Sequence, residues 1–170
     1  MNILIISDSH GDEEILKIIS ERHKDDVDLM LHCGDSELSP THPYLKPYLV
    51  VKGNCDFEKG FEKERVVPIE DKKLYFTHGH LHGIKESLMK INYRAQELGA
   101  DVICFGHSHN PGSELFDGRL FINPGSILLP RMRKERSYAI LSYRENSAAV
   151  HFYDENGHEI KDLRNNFQLE

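Results

Sequence analysis

The apolar positions of this chain fall into short unbroken runs, and the pattern around them changes about two thirds of the way along. Residues 2–7 form a continuous apolar run, the mark of a strand buried on both faces. Residues 13–22 follow with helical spacing. Ile15, Leu16, Ile18 and Ile19 supply the apolar face, Asp12 is placed as N-cap, and acids fill the first turn. Residues 29–33 and 48–52 predict two more strands, separated by a polar, Pro-containing loop over 37–47. Residues 65–69 and 73–77 flank Glu70-Asp71-Lys72 and predict a hairpin. Ile84, Leu88, Ile91, Ala95 and Leu98 recur at helical spacing and predict a helix from about 83 to 98, with Gly99 as C-cap. Residues 101–105 predict another buried strand. Beyond it the chain reads as strand after strand: 113–116 and 119–122 around Asp117-Gly118, then 138–143 and 148–153 around Arg144-Glu145-Asn146-Ser147. Strand and helix alternate first and strands alone follow. That order predicts an α/β sandwich of two sheets with helices outside, one sheet mixed and one largely antiparallel.

The length of 170 residues fits one domain spanning 1–170, with enough chain for a real core. Apolar residues make up 39% and charged residues 29%, the balance of a soluble globular protein. A net charge of -7 argues against a protein that tracks a nucleic-acid backbone, so no stable nucleic-acid complex is expected. It does not exclude a phosphate-bearing substrate, because bound metal ions reverse the local sign. Cys33, Cys55 and Cys104 are odd in number and widely spaced, which argues against a disulfide framework and a zinc knuckle. The opening MNILIISDSH has no basic region and too short an apolar stretch for a leader or a membrane span. The expectation is a cytoplasmic protein with no membrane attachment.

Five segments carry the chemistry: Asp8-Ser9-His10, Gly34-Asp35, Gly53-Asn54, His78-Gly79-His80 and Gly106-His107-Ser108-His109. Each lies just past an apolar run. Ligands in open α/β sheets gather at the carboxyl ends of strands, so five such ends would bring Asp8, His10, Asp35, Asn54, His78, His107 and His109 into one pocket. Seven ligands are too many for one catalytic zinc, which takes about three protein groups. They suit two ions sharing a carboxylate. Oxygen and nitrogen donors without thiolate fit Mn, Fe, Zn or Ni rather than Ca. The spacing of two in Asp8-x-His10 and His107-x-His109 puts both side chains on one side of an extended segment. Taken singly, each segment also fits a turn, a helix cap or a solvated loop. Their recurrence at successive strand ends is what singles out the metal reading.

In combination and order, these motifs resemble the calcineurin-like metallophosphoesterases. Gly-Asn-Cys-Asp at 53–56, Asn-Pro-Gly-Ser at 123–126 and the short chain are similar to the small bacterial and archaeal phosphodiesterase branch of that superfamily. The resemblance runs from Met1 to about Tyr153. It implies a four-layer α/β/β/α sandwich, two mixed sheets with helices on the outer faces. It implies two divalent ions, Mn first, with Asp8, His10, Asp35 and His109 around one and Asp35, Asn54, His78 and His107 around the other, Asp35 bridging. It also implies a homodimer. The larger phosphatases of the superfamily carry a histidine after the metal-binding Asn, and this chain has Cys55 there. That leaves the proton donor open: Cys55 is packing or chemistry, and His80 and His82 lie near the site in sequence and could donate a proton, His80 being the first candidate.

Two ions about 3.5–4 Å apart would hold a bridging hydroxide that attacks phosphorus in line. The function expected is therefore a dimetal phosphodiesterase acting on a small phosphodiester. A phosphomonoesterase or nucleotide pyrophosphatase would use the same centre. A reading of another class is a protein-interaction scaffold like the retromer subunit of this fold. Arg131, Arg133, Lys134 and Arg136 read as a solvated basic loop or as a second phosphate contact.

Overall fold

The computed structural model describes all 170 residues. Strand β1 (Asn2–Ile6) leads to helix α1 (Glu13–His23), β2 (Leu29–His32), a one-turn 3-10 helix at Pro43–Leu45 and the short β3 (Leu49–Val50). The hairpin β4 (Glu64–Ile69) and β5 (Lys72–Thr77) follows, then α2 (Met89–Leu98) and β6 (Val102–Cys104). The hairpins β7 (Gly112–Phe116)–β8 (Arg119–Asn123) and β9 (Ser137–Arg144)–β10 (Ser147–Asp154) come next, and β11 (Asn165–Gln168) ends the chain. The strands form two sheets, in the orders β11-β10-β9-β1-β2-β3 and β4-β5-β6-β8-β7.

Both sheets are mixed. In the first, β1, β2 and β3 run parallel and β9, β10 and β11 antiparallel to their neighbours. In the second, β5, β6 and β8 run parallel, flanked by antiparallel β4 and β7. A largely antiparallel second sheet, expected from the run of late strands, is not what forms. The β9–β10 hairpin crosses back to pair with β1, so the strand-only segment is divided between the sheets.

The two-residue period of the strands builds the layers. Ile3, Ile5, Leu31 and Cys33 of one sheet meet Leu74, Phe76, Val102, Cys104, Leu120 and Ile122 of the other in a shared buried core. The alternate residues Leu4, Ile6 and Met30 face out and are covered by Leu16 and Ile19 of α1. Tyr75, Ile103 and Phe121 face out on the other side and are covered by Ile91 and Ala95 of α2. The result is four layers, α/β/β/α.

Asp12 caps α1 by accepting from the Ile15 N–H at 3.3 Å, and Gly99 closes α2 in the left-handed conformation, φ 65°. Ile18, counted on the buried face of α1, is 47% exposed; the buried stripe is Leu16, Ile19 and Ser20. Helix α2 starts at Met89 rather than at 83. Ile84 and Leu88 still pack beneath it, so their apolar spacing reports the core and not the helix start. The expected strand over 48–52 shortens to two residues and a single bridge from Val51 to Glu62. No helix is long and apolar enough to cross a membrane.

The layering predicts a contrast. Phe152→Ala opens the core between the sheets and should cost about 3–5 kcal/mol in denaturant unfolding. Ile18→Ala should stay within about 0.5 kcal/mol. Equal losses would contradict the assignment of faces.

Candidate metal centre

The carboxyl ends of β1, β2 and β3 meet those of β5 and β6 at one edge of the sandwich, where backbone bonds tie the loops within each sheet and a histidine side chain bridges the two. The Asp8 and His10 N–H groups donate to Gly34 O and Asp35 O, both at 3.0 Å, and the Gly106 N–H donates to His78 O at 3.0 Å. His78 Nδ1 reaches across to Cys33 O at 2.8 Å. A side chain at either of two glycines would block this approach. A Cβ at Gly53 would lie 2.0 Å from Asp35 Oδ1, and one at Gly106 would lie 2.0 Å from Ser7 Oγ and 2.5 Å from Asp8 Oδ2.

Asp8, His10, Asp35, Asn54, His78, His107 and His109 all come to this edge. His109 Nε2 and His10 Nε2 are 3.0 and 3.6 Å from Asp8 Oδ1 and 3.3 Å from each other. His78 Nε2 lies 3.2 Å from Asp35 Oδ2, 3.0 Å from Asn54 Oδ1 and 3.9 Å from Asp8 Oδ1. The His107 ring stands 5.1 Å from that of His78. Donor atoms of Asp8, His10 and His109 lie within 4.8 Å of one another, as do those of Asp8, Asp35 and His78 and those of His10, Asp35 and Cys55. The clusters share Asp8 and Asp35, so the acids sit between two groups of imidazoles.

The donor set fits a pair of cations. Asp8 is fully buried, and its Oδ2 accepts from Ser7 Oγ at 2.6 Å and from the His107 N–H at 3.1 Å. Its Oδ1 has no hydrogen-bond partner, although imidazole nitrogens surround it. A buried carboxylate oxygen without a donor is costly unless a cation faces it. The histidines are oriented to match. His78 Nδ1–H donates to Cys33 O and His109 Nδ1–H to Leu129 O at 2.7 Å, which leaves each Nε2 lone pair turned to the acids. Glu37 Oε2 stands 3.5 Å from His10 Nδ1 on the far side of that ring.

Electrostatics follow the same plan. Burial works against the charge on Asp8, but His10, His109, His78 and Ser7 outweigh it and hold the carboxyl well below its ordinary range. Burial likewise opposes the charge on Asp35, and His78 and the Cys55 N–H pull it down. Burial lowers His78, yet Asp35 and Asp8 raise it overall, and the neighbouring Asp8 carboxylate raises His10. His107 falls to about 4 through burial and the neighbouring His78. The site thus combines ionised carboxylates with a field that attracts positive charge.

The spacing argument needs a correction. Asp8, His10, Asp35, His107 and His109 all adopt left-handed backbone, with φ between 43 and 68°. Asp8-x-His10 and His107-x-His109 are tight turns, not extended segments, and the side chains converge because the chain coils. Asp and His are among the residues that tolerate this region best.

Several supporting residues lie in motifs that carry the family resemblance, but their bracing role is visible only in the fold. Asp56 accepts the N–H groups of Asp35, Gly53 and Glu37 at 2.7–2.9 Å and so fixes both the Asp35 and the Asn54 turns. Ser126 Oγ donates to Asp8 O at 2.7 Å and accepts from the Leu129 N–H at 2.8 Å, tying Asp8 to the carbonyl that orients His109. Asn123 Nδ2 bonds Gly106 O and Ser108 Oγ and holds the His107–His109 loop. Asn-Pro-Gly-Ser at 123–126 is therefore a brace for the centre. His32, fully buried, accepts the Gly34 N–H at Nδ1, which leaves Nε2–H to donate to Ser9 Oγ at 2.9 Å.

Cys55 touches the site through both its backbone and its thiol: its N–H donates to Asp35 Oδ1 at 2.7 Å, and its Sγ lies within 4.8 Å of donor atoms of His10 and Asp35. Burial and then Asp35 push its thiol up to about 11. His80 is half-buried, with its ring 5.4 Å from His78 and 6.1 Å from His107. Among the basic residues after 126, Arg133 is bound to Glu135 and Asp162 and is a structural tie.

A family model described as the calcineurin-like phosphoesterase superfamily domain matches residues 1–146. The chain is 60% identical over 169 residues to a Bacillus subtilis protein named probable metallophosphoesterase YsnB, covering 99% of this chain and 100% of that one. It is 33% identical over 101 residues to phosphodiesterase YfcE of Escherichia coli, which covers 55% of this chain and 51% of YfcE. Among solved structures, a predicted phosphoesterase from Streptococcus pneumoniae superposes with a TM-score of 0.94 at 37% identity, over 98% of this chain and 97% of that one. Vps29 of Entamoeba histolytica, solved in complex with zinc, shares the fold with a TM-score of 0.78 at 21% identity, over all of both chains. With the motif order, the four layers and these matches in agreement, the chain belongs to the calcineurin-like phosphoesterase superfamily.

Proposed function

We propose that this protein is a phosphodiesterase that works with two divalent ions, manganese being the first to test. The observation that carries the reading is Asp8 Oδ1, buried without a hydrogen-bond donor and ringed by the nitrogens of His10, His78 and His109. Asp8, His10, Asp35 and His109 would hold one ion, and Asp35, Asn54, His78 and His107 the other. Ions so held supply Lewis acidity toward the phosphoryl oxygens and lower the pKa of a water that serves as nucleophile. The protein's own part is placement. Asp35 joins the two groups and keeps their spacing, while Cys33 O and Leu129 O fix two of the imidazoles in the ligating tautomer. His80, on the His78 and His107 side, is the residue assigned to protonate the departing alkoxide.

The direct test supplies manganese and compares an aryl phosphodiester with the matching monoester. Faster turnover of the diester supports the reading; faster turnover of the monoester replaces it with a phosphomonoesterase. If neither ester is hydrolysed while Asp35→Asn keeps a partner-binding activity, the catalytic reading fails and a scaffold of the retromer-subunit kind takes its place.

Asp35→Ala should lose both ions by elemental analysis and retain less than about a tenth of the turnover; higher retention contradicts the bridging role. His109→Ala should weaken the first ion, so excess manganese should restore part of the activity. Cys55→Ala should keep the metal content, because the expected ligand sets do not include its thiol; an unchanged rate shows that the thiol has no chemical part, and a slowed one gives it a role. His80→Ala should keep the metal and slow an alkyl diester more than an aryl one, since a good leaving group departs without a proton. Equal slowing of both would remove His80 from the proton-transfer step.

A further inference from the structure

A cavity of about 450 Å³ opens beside the candidate centre. This is within the roughly 300–1,000 Å³ typical of small-ligand sites. Asn54 and His80 form its inner wall, so a group attached to a phosphorus at the centre reaches it directly. Lys52 and Lys63 line it further out, and the ammonium group of neither makes an ion pair or a hydrogen bond within the protein. The acid on the wall is Asp56, whose two oxygens are already taken by backbone N–H groups. In a chain of net charge -7, two unneutralised cations in one cavity form a local anion-attracting patch. Phe57 and Leu81 stand at the mouth, 87% and 58% exposed. An exposed phenyl ring offers a flat π surface that takes a planar base without regard to its hydrogen-bonding edge.

We propose that this cavity binds a nucleotide: one arm of the scissile phosphodiester is a nucleoside whose base lies on Phe57 and whose further phosphate is held by Lys52 and Lys63. A single diester carries one negative charge, and the centre itself answers it. Two additional cations call for a second anionic group. The chain's net charge of -7 disfavours tracking a long polyanion and limits the substrate to a short one, a dinucleotide or the end of an oligonucleotide. The inference rests on the phosphodiesterase reading, since it names the substrate class of that site.

The test uses the manganese-loaded full chain with a thymidine dinucleotide, with and without a terminal phosphate. The phosphorylated form should be hydrolysed about tenfold more efficiently, the gain lying in KM, because a charge-assisted contact is worth about a factor of ten. In Lys52→Gln/Lys63→Gln the ratio of the two efficiencies should fall to about one, and Phe57→Ala should raise KM for both dinucleotides by about tenfold. Equal efficiencies in the wild-type chain, or a ratio unchanged in the double variant, overturn the proposal. Bis(para-nitrophenyl) phosphate tells this failure from that of the parent reading, since a protein that is no diesterase leaves it intact. The cavity is then judged by NMR titration of the full chain with the phosphorylated dinucleotide. Shifts at the amides of Lys52, Phe57 and Lys63 that need the terminal phosphate support the site, and their absence rejects it.

Discussion

Two carboxylates taken out of water at one end of the sandwich set the terms for the rest of this molecule. Asp8 is wholly buried and Asp35 nearly so, and the imidazoles of His10, His78 and His109 close around them. Charges buried this way cost several kcal/mol each unless they are paired and hydrogen-bonded. The chain meets part of that cost with Ser7, the His107 N–H and the Cys55 N–H. What those donors leave is Asp8 Oδ1, an oxygen with lone pairs turned toward the same space as three ring nitrogens. The arrangement is complementary to cations, and the sandwich gives it a rigid frame because the shared apolar core ends just below it.

The backbone is bent to serve this arrangement. Five of the seven candidate ligands sit in left-handed conformation, a region that costs an ordinary residue of order 1–3 kcal/mol. Asp56, Ser126 and Asn123 hold these turns with bonds to backbone groups. Gly53 and Gly106 let the Asp35 and Asp8 carboxylates come within what would otherwise be clash distance of the neighbouring turn. Each candidate ligand turn here is therefore a three-part device: a strained residue, a glycine beside its neighbour and a buried polar brace.

Much of the frame was legible from the chain because it depends on local patterning. The strands at 2–7, 29–33, 73–77 and 101–105 are continuous apolar runs, and the hairpins at Asp117-Gly118 and Glu145-Asn146 carry turn residues suited to positive φ. The candidate ligand positions stand out in the sequence because each follows such a strand. Other features depend on distant partners. Ile84 and Leu88 look helical because the core needs them, yet the helix begins at Met89. Strand β11 has no apolar period and exists because β10 offers an edge. The pairing of β9 with β1 is set by tertiary packing, so the division of late strands between sheets was misread. The braces Asp56 and Ser126 look like ordinary turn residues until the fold sets them against the Asp35 and Asp8 backbones. Family membership follows from the motif order, but the diester preference and the identity of the ions are not written in any local pattern.

Crystals grown with manganese, with diffraction recorded at the manganese absorption edge, test the central claim most directly. The account predicts two anomalous peaks, one bound by Asp8, His10, Asp35 and His109 and the other by Asp35, Asn54, His78 and His107, with Asp35 touching both. A single peak, or peaks away from Asp8 and Asp35, would contradict it.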